Sequence, residues 1–345
     1  MTAFLAFWIV CYQVGGPRGI HEKALRSMTL LFVVIGFVLM VVGADYFVKG
    51  AVKIASRLGL PPLVVGLTIV AWGTSMPELA VTLGAASKET ADATGLALGN
   101  VIGSNIANVL LIGGVAALLL PLTCPPSQLR RDVIWLGLAS LAVVFIGASG
   151  YLSAWMGLLL LGLLLAQTLT IYRAVRTGHI HDVEVPSDDE LTMPLPKAIG
   201  LFVAGLIAVI AGSELLVRNA IEIAQALQIP GAVIGVTMVA IGTSLPELMT
   251  SIAAARQGQR DVIIGNIIGS NIANIVLVLG AVSILSPGIV PSDLLDGDGW
   301  VMLVSSALFV GLLLYGRTVG RVWGALFLTS YAVYVAWQFN FFGLV

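Results

Sequence analysis

The sequence predicts an all-α polytopic membrane protein, built as ten transmembrane helices in two inverted five-helix repeats. Three observations carry that reading. The first is composition: of 345 residues, 58% are hydrophobic and only 10% are charged, with a mean hydropathy of +1.02. Soluble domains carry roughly 25% charged residues, and a water-soluble chain this apolar would expose large sticky patches. The second is a series of apolar runs long enough to cross a hydrocarbon core, about 20 residues each. The third is an internal repeat. A net charge of −1, from 17 basic and 18 acidic residues, gives no reason to expect nucleic acid or electrostatic docking on a membrane surface. Two cysteines, Cys11 and Cys124, define no secreted disulfide framework.

The first 27 residues stand apart. The apolar stretch 3–14 is too short to span, has no basic segment before it, and is followed by Arg18, Lys23 and Arg26. We expect translation to start at Met28, with 1–27 an extension; a short interfacial segment is the alternative. Spans follow near 28–50, 61–87, 95–120, 132–149, 151–173, 197–219, 230–256, 261–286, 300–316 and 321–342. Pro61-Pro62, Pro125-Pro126, Pro230-Gly231 and the polar run 293–299 mark breaks. The boundary at 149–151 rests on Ser149, Gly150 and Tyr151 alone, so one long helix there is the alternative. No run shows the period-two alternation of a membrane barrel.

Charge then orients the chain. If the first helix enters from outside, the inner loops hold 12 of the 17 basic residues, among them Lys49, Lys53, Arg57, Arg130, Arg131, Arg256 and Arg260. By the positive-inside rule both termini lie outside. The first repeat is 28–173, a short cytoplasmic linker covers 174–196, and the second repeat is 197–345. The linker acids Asp182, Glu184, Asp188, Asp189 and Glu190 read as a solvated segment.

The repeat is direct in the sequence. Residues 66–87 (GLTIVAWGTSMPELAVTLGAAS) and 235–256 (GVTMVAIGTSLPELMTSIAAAR) share 12 identities in 22 positions. Residues 99–109 (GNVIGSNIANV) and 265–275 (GNIIGSNIANI) share 9 in 11. The register is +169 in the first block and +166 in the second, so the first copy has three extra loop residues between Ser87 and Asp92. Five spans per copy is an odd number, so equivalent helices must cross in opposite directions. That is the architecture of secondary transporters, with the site near the midplane between the copies.

Four of the 18 acids fall inside spans: Asp45, Glu78, Glu214 and Glu247. An ionised acid at the bilayer centre costs about 2.5–3.5 kcal/mol by insertion scales, so each needs a reason. Asp45 with Lys49, and Glu214 with Arg218, have the acid-before-base i,i+4 spacing of a structural helical ion pair. Glu78 and Glu247 have only neutral oxygen carriers as helical neighbours: Thr74, Ser75 and Thr82, and Thr243, Ser244 and Ser251. Two facing carboxylates in low dielectric need a bound cation or protons; a protonated structural pair is the plainer alternative.

Pro77 and Pro246 should free backbone carbonyls near Gly73 and Gly242. In lipid such carbonyls are tolerated where they line a cavity or bind ions. The second block adds Asn100, Ser104 and Asn108, and Asn266, Ser270 and Asn274, each trio on one helix face. Asn100 and Asn266 are equally well read as interhelical hydrogen-bonding groups. Gly99 and Gly103, like Gly265 and Gly269, should allow close helix contact. Oxygen donors without His or Cys in the deep spans select hard cations, namely sodium, calcium, magnesium or manganese, and such a cage suits a dehydrated Ca²⁺ best.

The paired GTS-x-PE and GN-x-x-GSN-x-x-N blocks resemble the α-repeats of the sodium/calcium exchanger family, within the cation/calcium antiporter superfamily. The resemblance covers 28–342 and implies a ten-helix fold with inverted halves that exchanges Ca²⁺ for Na⁺. It implies that Glu78 and Glu247 are the central acids shared by both ions, and that Thr74 and Thr243 give backbone carbonyls to Ca²⁺. It implies sodium ligands at the Ala71 and Ala240 carbonyls and at the Ser75, Ser244, Ser104 and Ser270 hydroxyls. Asn108 and Asn274 match the remaining position in each half. Some relatives, including potassium-dependent exchangers, carry Asp at the second, so Asn274 argues against potassium dependence.

The expectation is therefore a transporter of the cell (plasma or inner) membrane, not an enzyme, with the lipid bilayer around it. Ca²⁺ and Na⁺ are cargo; no cofactor and no obligatory protein partner are expected. Proton-coupled divalent cation exchange is the nearest rival. A cation channel is the other, and inverted repeats count against it.

Overall fold

The computed structural model describes residues 20–86, 93–176, 193–226, 240–290 and 295–341, nearly all of them helical. The helical runs are α1 (Ile20–Leu58), α2 (62–86), α3 (93–119), α4 (Pro126–Ser149) and α5 (Ala154–Arg176). Then come α6 (Leu195–Ala226), α7 (240–256), α8 (260–285), α9 (295–314) and α10 (Arg321–Phe341). Eight of these, all but α7 and α10, are long and apolar enough to cross a membrane. The description of α7 begins only at residue 240, and Thr329, Ser330, Tyr331, Tyr334 and Gln338 dilute the hydropathy of α10.

Hydropathy marks the hydrocarbon stretch of a helix and misses its solvated turns. So α1 runs unbroken through Met28 from Ile20 to Leu58, and α6 continues to Ala226. The stops are local. Gly59, with φ 63°, precedes Pro61-Pro62 at the end of α1. Gly150, with φ 68°, caps α4 in the left-handed region that glycine adopts without a Cβ penalty. Two helices therefore occupy 126–176, not one. Just beyond Gly150, β1 (Tyr151–Leu152) pairs antiparallel with β2 (Gly288–Ile289). A second tie, Leu122 to Val319, joins the α3–α4 and α9–α10 connections, and the +166 register carries Leu122 onto Gly288.

Glycines set the helix packing. On α1 and α6, a Cβ at Gly36 would lie 2.7 Å from the Gly212 carbonyl oxygen, and one at Gly43 would lie 3.0 Å from that of Gly205. Early residues of α1 thus face late residues of α6, so these repeat-equivalent helices run antiparallel. On α8, Gly265 meets the Leu63 carbonyl and Gly269 that of Leu67 on α2, at 2.6 and 2.5 Å from a would-be Cβ. These two helices therefore run parallel. Gly114 of α3 faces Gly324 of α10, and Gly157 of α5 faces Gly280 of α8. The +166 register carries Gly114 onto Gly280 and Gly157 to within one residue of Gly324, so these two contacts correspond and cross between the halves. Gly99 and Gly103 meet nothing among the described residues; the segment the repeat would set opposite them, near 232–236, lies outside those residues.

Burial ranks the helices. In α8, 94% of the most apolar window is buried, against 33% in α1 and 22% in α6. The centre is therefore α8 with α2, α3 and α7, while α1 and α6 pair with each other at the side. Exposed Leu31, Val34, Ile134, Leu141, Leu158 and Ile207 are apolar surface suited to lipid tails. The protein is thus a mostly helical polytopic membrane protein.

Two charge expectations need correction. Arg218 bonds Glu214 as the i,i+4 spacing suggests, with both side chains largely exposed. Asp45 does not pair with Lys49. Lys49 is exposed and its ammonium stands 6.0 Å from the centre of the Tyr46 ring, while the Asp45 carbonyl accepts Gln257 Nε2 from the α7–α8 turn at 3.3 Å. Asp132, the first residue of the span predicted at 132–149 and not counted among the four acids inside spans, is fully buried and held by Arg131 through two bonds of 2.9 and 3.1 Å. The linker acids, Lys88 and Pro230 lie outside the described residues.

Candidate functional site

The site is built where α2 and α7 break. Ser75 (φ −82°, ψ 4°) and Ser244 (φ −87°, ψ 3°) leave helical geometry in the same way, three residues before Glu78 and Glu247. Pro77 and Pro246 then open the second half of each helix in its first turn, where proline's fixed φ is tolerated. Removing the Pro246 N–H leaves the Gly242 carbonyl without its helical donor, and Ser213 of α6 donates to it at 3.0 Å. That carbonyl, expected from sequence to be open to ions, is thus already met. The repeat counterpart of Ser213 is Ala44, which has no hydroxyl.

Both carboxylates are buried, Glu78 at 2% and Glu247 at 1% exposure, and neither meets a lysine, arginine or histidine among the described residues. They interact electrostatically across the boundary between the halves. Ser75 Oγ donates to Glu247 Oε1 at 3.5 Å, again across the halves. Thr74 Oγ1 bonds the Ala71 carbonyl at 3.3 Å and reaches Asn266 Oδ1 at 3.4 Å. The Ala71 carbonyl also accepts the Ser75 N–H at 3.0 Å. Thr243 is buried beside Ser244, and Ala240 opens the described part of α7.

The second block lies on α3 and α8. Asn100 donates to Thr82 Oγ1 at 2.7 Å, and Asn266 donates to Ser251 Oγ at 3.2 Å. Residues 82 and 251 are repeat equivalents, so these asparagines pin α3 to α2 and α8 to α7 by the same bond. The interhelical reading of Asn100 and Asn266 is the one the geometry favours. Each helix also widens at the motif's last asparagine: π turns cover Asn108–Ile112 and Asn274–Leu279, at equivalent positions. Such turns disturb the backbone ladder and often mark functional sites.

Among the described residues, ten buried side-chain atoms have no hydrogen-bond partner, and eight belong to these segments. They are Glu78 Oε2, Glu247 Oε2, Ser104 Oγ, Ser270 Oγ, Ser244 Oγ, Thr250 Oγ1, Asn108 Oδ1 and Asn274 Oδ1. All eight are oxygens, which is the donor chemistry of a hard cation. Buried polar atoms are otherwise nearly always paired, so the clustering asks for a ligand.

Three participants escape the sequence reading. Thr250, one helical turn after Glu247, aligns with Val81 and so carries no repeat signal. Asn105 and Asn271 stand inside the GSN triplet of both copies, yet lie off the four-residue spacing used to group their neighbours. Their matched places in both copies were the available signal.

Comparison with known proteins gives the same answer as the motifs. The family described as "Sodium/calcium exchanger protein" matches residues 28–173 and 197–340. The chain is 38% identical over 311 residues to the inner membrane protein YrbG of Escherichia coli, covering 88% of this chain and 94% of that one. It is 35% identical over 345 residues to the sodium/calcium exchanger MaX1 of Methanosarcina acetivorans, covering 90% and 98% respectively. A solved structure of the sodium-calcium exchanger NCX_Mj, soaked with Na⁺ and Sr²⁺, superposes with a TM-score of 0.77 at 32% identity, covering 90% of this chain and 99% of that one. With two α-repeat motifs in place and near-complete coverage on both sides, the chain belongs to the sodium/calcium exchanger family.

Proposed function

We propose that this protein is a secondary active antiporter that exchanges Ca²⁺ for Na⁺ by alternating access at a single site between Glu78 and Glu247. One observation carries the reading: among the described residues, two buried carboxylates have no cationic side chain beside them, and six further buried oxygens of the same segments lack partners. Ca²⁺ takes both carboxylates, with Thr74 and Thr243 carbonyls behind it. Na⁺ ions use Ser75, Ser244, Ser104, Ser270, the Ala71 and Ala240 carbonyls, and the same two acids, with Asn108 and Asn274 completing each half. Either load neutralises the pair. The unloaded, doubly ionised site is penalised in low dielectric, so the empty form crosses slowly and leak is suppressed.

The proposal includes ten membrane crossings in two inverted repeats, with both termini outside the plasma or inner membrane. The antiparallel run of the equivalent helices α1 and α6 supports this, as does the exchange of contacts under the +166 register. Alternating exposure comes from movement of the thinly buried α1–α6 pair over the rigid centre. An ion-substitution flux assay in proteoliposomes tests the coupling. Ca²⁺ uptake should follow an outward Na⁺ gradient and ignore a pH gradient; uptake driven by a pH gradient with Na⁺ absent would reassign the coupling ion to the proton.

A further inference from the structure

Four buried asparagines meet where α3 and α8 cross: Asn105, Asn108, Asn271 and Asn274, each about 1% exposed. Asn108 Nδ2 donates to Asn271 Oδ1 at 3.0 Å, and Asn274 Nδ2 donates to Asn105 Oδ1 at 3.1 Å. Asn105 Nδ2 donates to the Asn271 carbonyl at 3.2 Å, and Asn271 Nδ2 to the Asn105 carbonyl at 3.4 Å. Every bond runs from one half of the chain to the other, and the +166 register exchanges them in pairs. An asparagine amide has a donor end and an acceptor end of nearly equal size, and only the hydrogen-bond network decides which end faces where. Here the donor ends of Asn108 and Asn274 are spent on protein acceptors, and their Oδ1 atoms are the buried, unpartnered ends.

From this we infer that Asn105 and Asn271 are positioning residues: they hold the amides of Asn108 and Asn274 so that oxygen, not N–H₂, faces the transported cation. A flipped amide would aim two partial positive charges at the ion. The backbone bonds of Asn105 and Asn271 matter as much as their acceptor oxygens, because they keep those oxygens turned toward their partners. A carboxylate at position 105 or 271 would accept but could not make that backbone bond, which gives a reason for an amide at both. The inference rests on the cation reading of the site, which it deepens by dividing the asparagines into two that face the ion and two that aim them.

Ca²⁺ binding to the full-length protein in detergent, read as Ca²⁺-dependent thermal stabilisation, tests it. Wild type must bind Ca²⁺; if it does not, the function proposed above fails before this inference is reached. Asn105→Leu should lower apparent Ca²⁺ affinity by about 10–100-fold, the usual cost of removing a partner that orients a metal ligand. Adding Asn274→Asp to that variant should restore most of the affinity, because a carboxylate has two oxygens and no wrong end. Asn271→Leu with Asn108→Asp should behave alike. Asn105→Gln, which keeps the amide but displaces its oxygen, is the milder variant should leucine prevent folding, and the same loss and rescue are expected. Unchanged affinity in folded Asn105→Leu or Asn105→Gln overturns the inference. So does a loss that Asn274→Asp leaves unrepaired, since a purely structural role would lower the ion-free melting temperature without this rescue.

Discussion

At the scale of single residues, the chain treats its charges in three ways. Arg218 and Glu214 bond at the surface, where water and salt screen them. Arg131 and Asp132 bond with the acid fully buried. Glu78 and Glu247 are buried with no basic partner among the described residues. These settings have different energetics. Arg218→Ala should cost less than about 1 kcal/mol and leave the melting temperature in detergent nearly unchanged. Arg131→Ala strands the Asp132 carboxylate and should cost about 3–5 kcal/mol, a loss visible as a melting temperature lower by many degrees. Equal melting temperatures for the two variants would contradict this account of Asp132. The sequence could not separate these cases: i,i+4 spacing is identical for Asp45–Lys49 and Glu214–Arg218, yet only the second bonds. Spacing permits a helical pair, and the rotamers that neighbouring helices leave open decide whether it forms.

Among the helices, close packing depends on missing side chains. A Cβ at Gly269 would sit 2.5 Å from the Leu67 carbonyl oxygen and 2.7 Å from the Ala71 Cβ, with backbone that cannot swing aside. Gly269→Ala should therefore push α8 from α2 and destabilise the protein by about 1–3 kcal/mol, the usual cost of overpacking. Gly137, on the exposed face of α4, has open space around its would-be Cβ, so Gly137→Ala should be neutral or slightly stabilising. Melting temperature and monodispersity of the two purified variants check the contrast. The small-xxx-small pattern at Gly265 and Gly269 was legible because helix contact needs a stripe of short residues at that spacing. The partner was not legible, because a stripe does not say which helix fills it. The breaks at Ser75 and Ser244 were legible through Pro77 and Pro246, whereas the π turns at Asn108 and Asn274 leave no pattern in hydropathy.

For the whole molecule, an internal repeat with an odd number of spans per copy predicts matched segments of opposite direction, and the antiparallel run of α1 and α6 accords with that expectation. The structure adds what a linear repeat does not contain, namely the bonds that cross between the copies. Ser75 reaches Glu247, Asn108 reaches Asn271, and Asn274 reaches Asn105. The candidate site therefore belongs to neither half alone, and each half supplies one of its two buried carboxylates. The most direct test is Ca²⁺ uptake into proteoliposomes driven by an outward Na⁺ gradient, comparing wild type with Glu78→Gln and Glu247→Gln. Wild type should take up Ca²⁺ in a gradient-dependent way and both variants should lose it; persistent exchange in either variant would refute a site shared by Glu78 and Glu247.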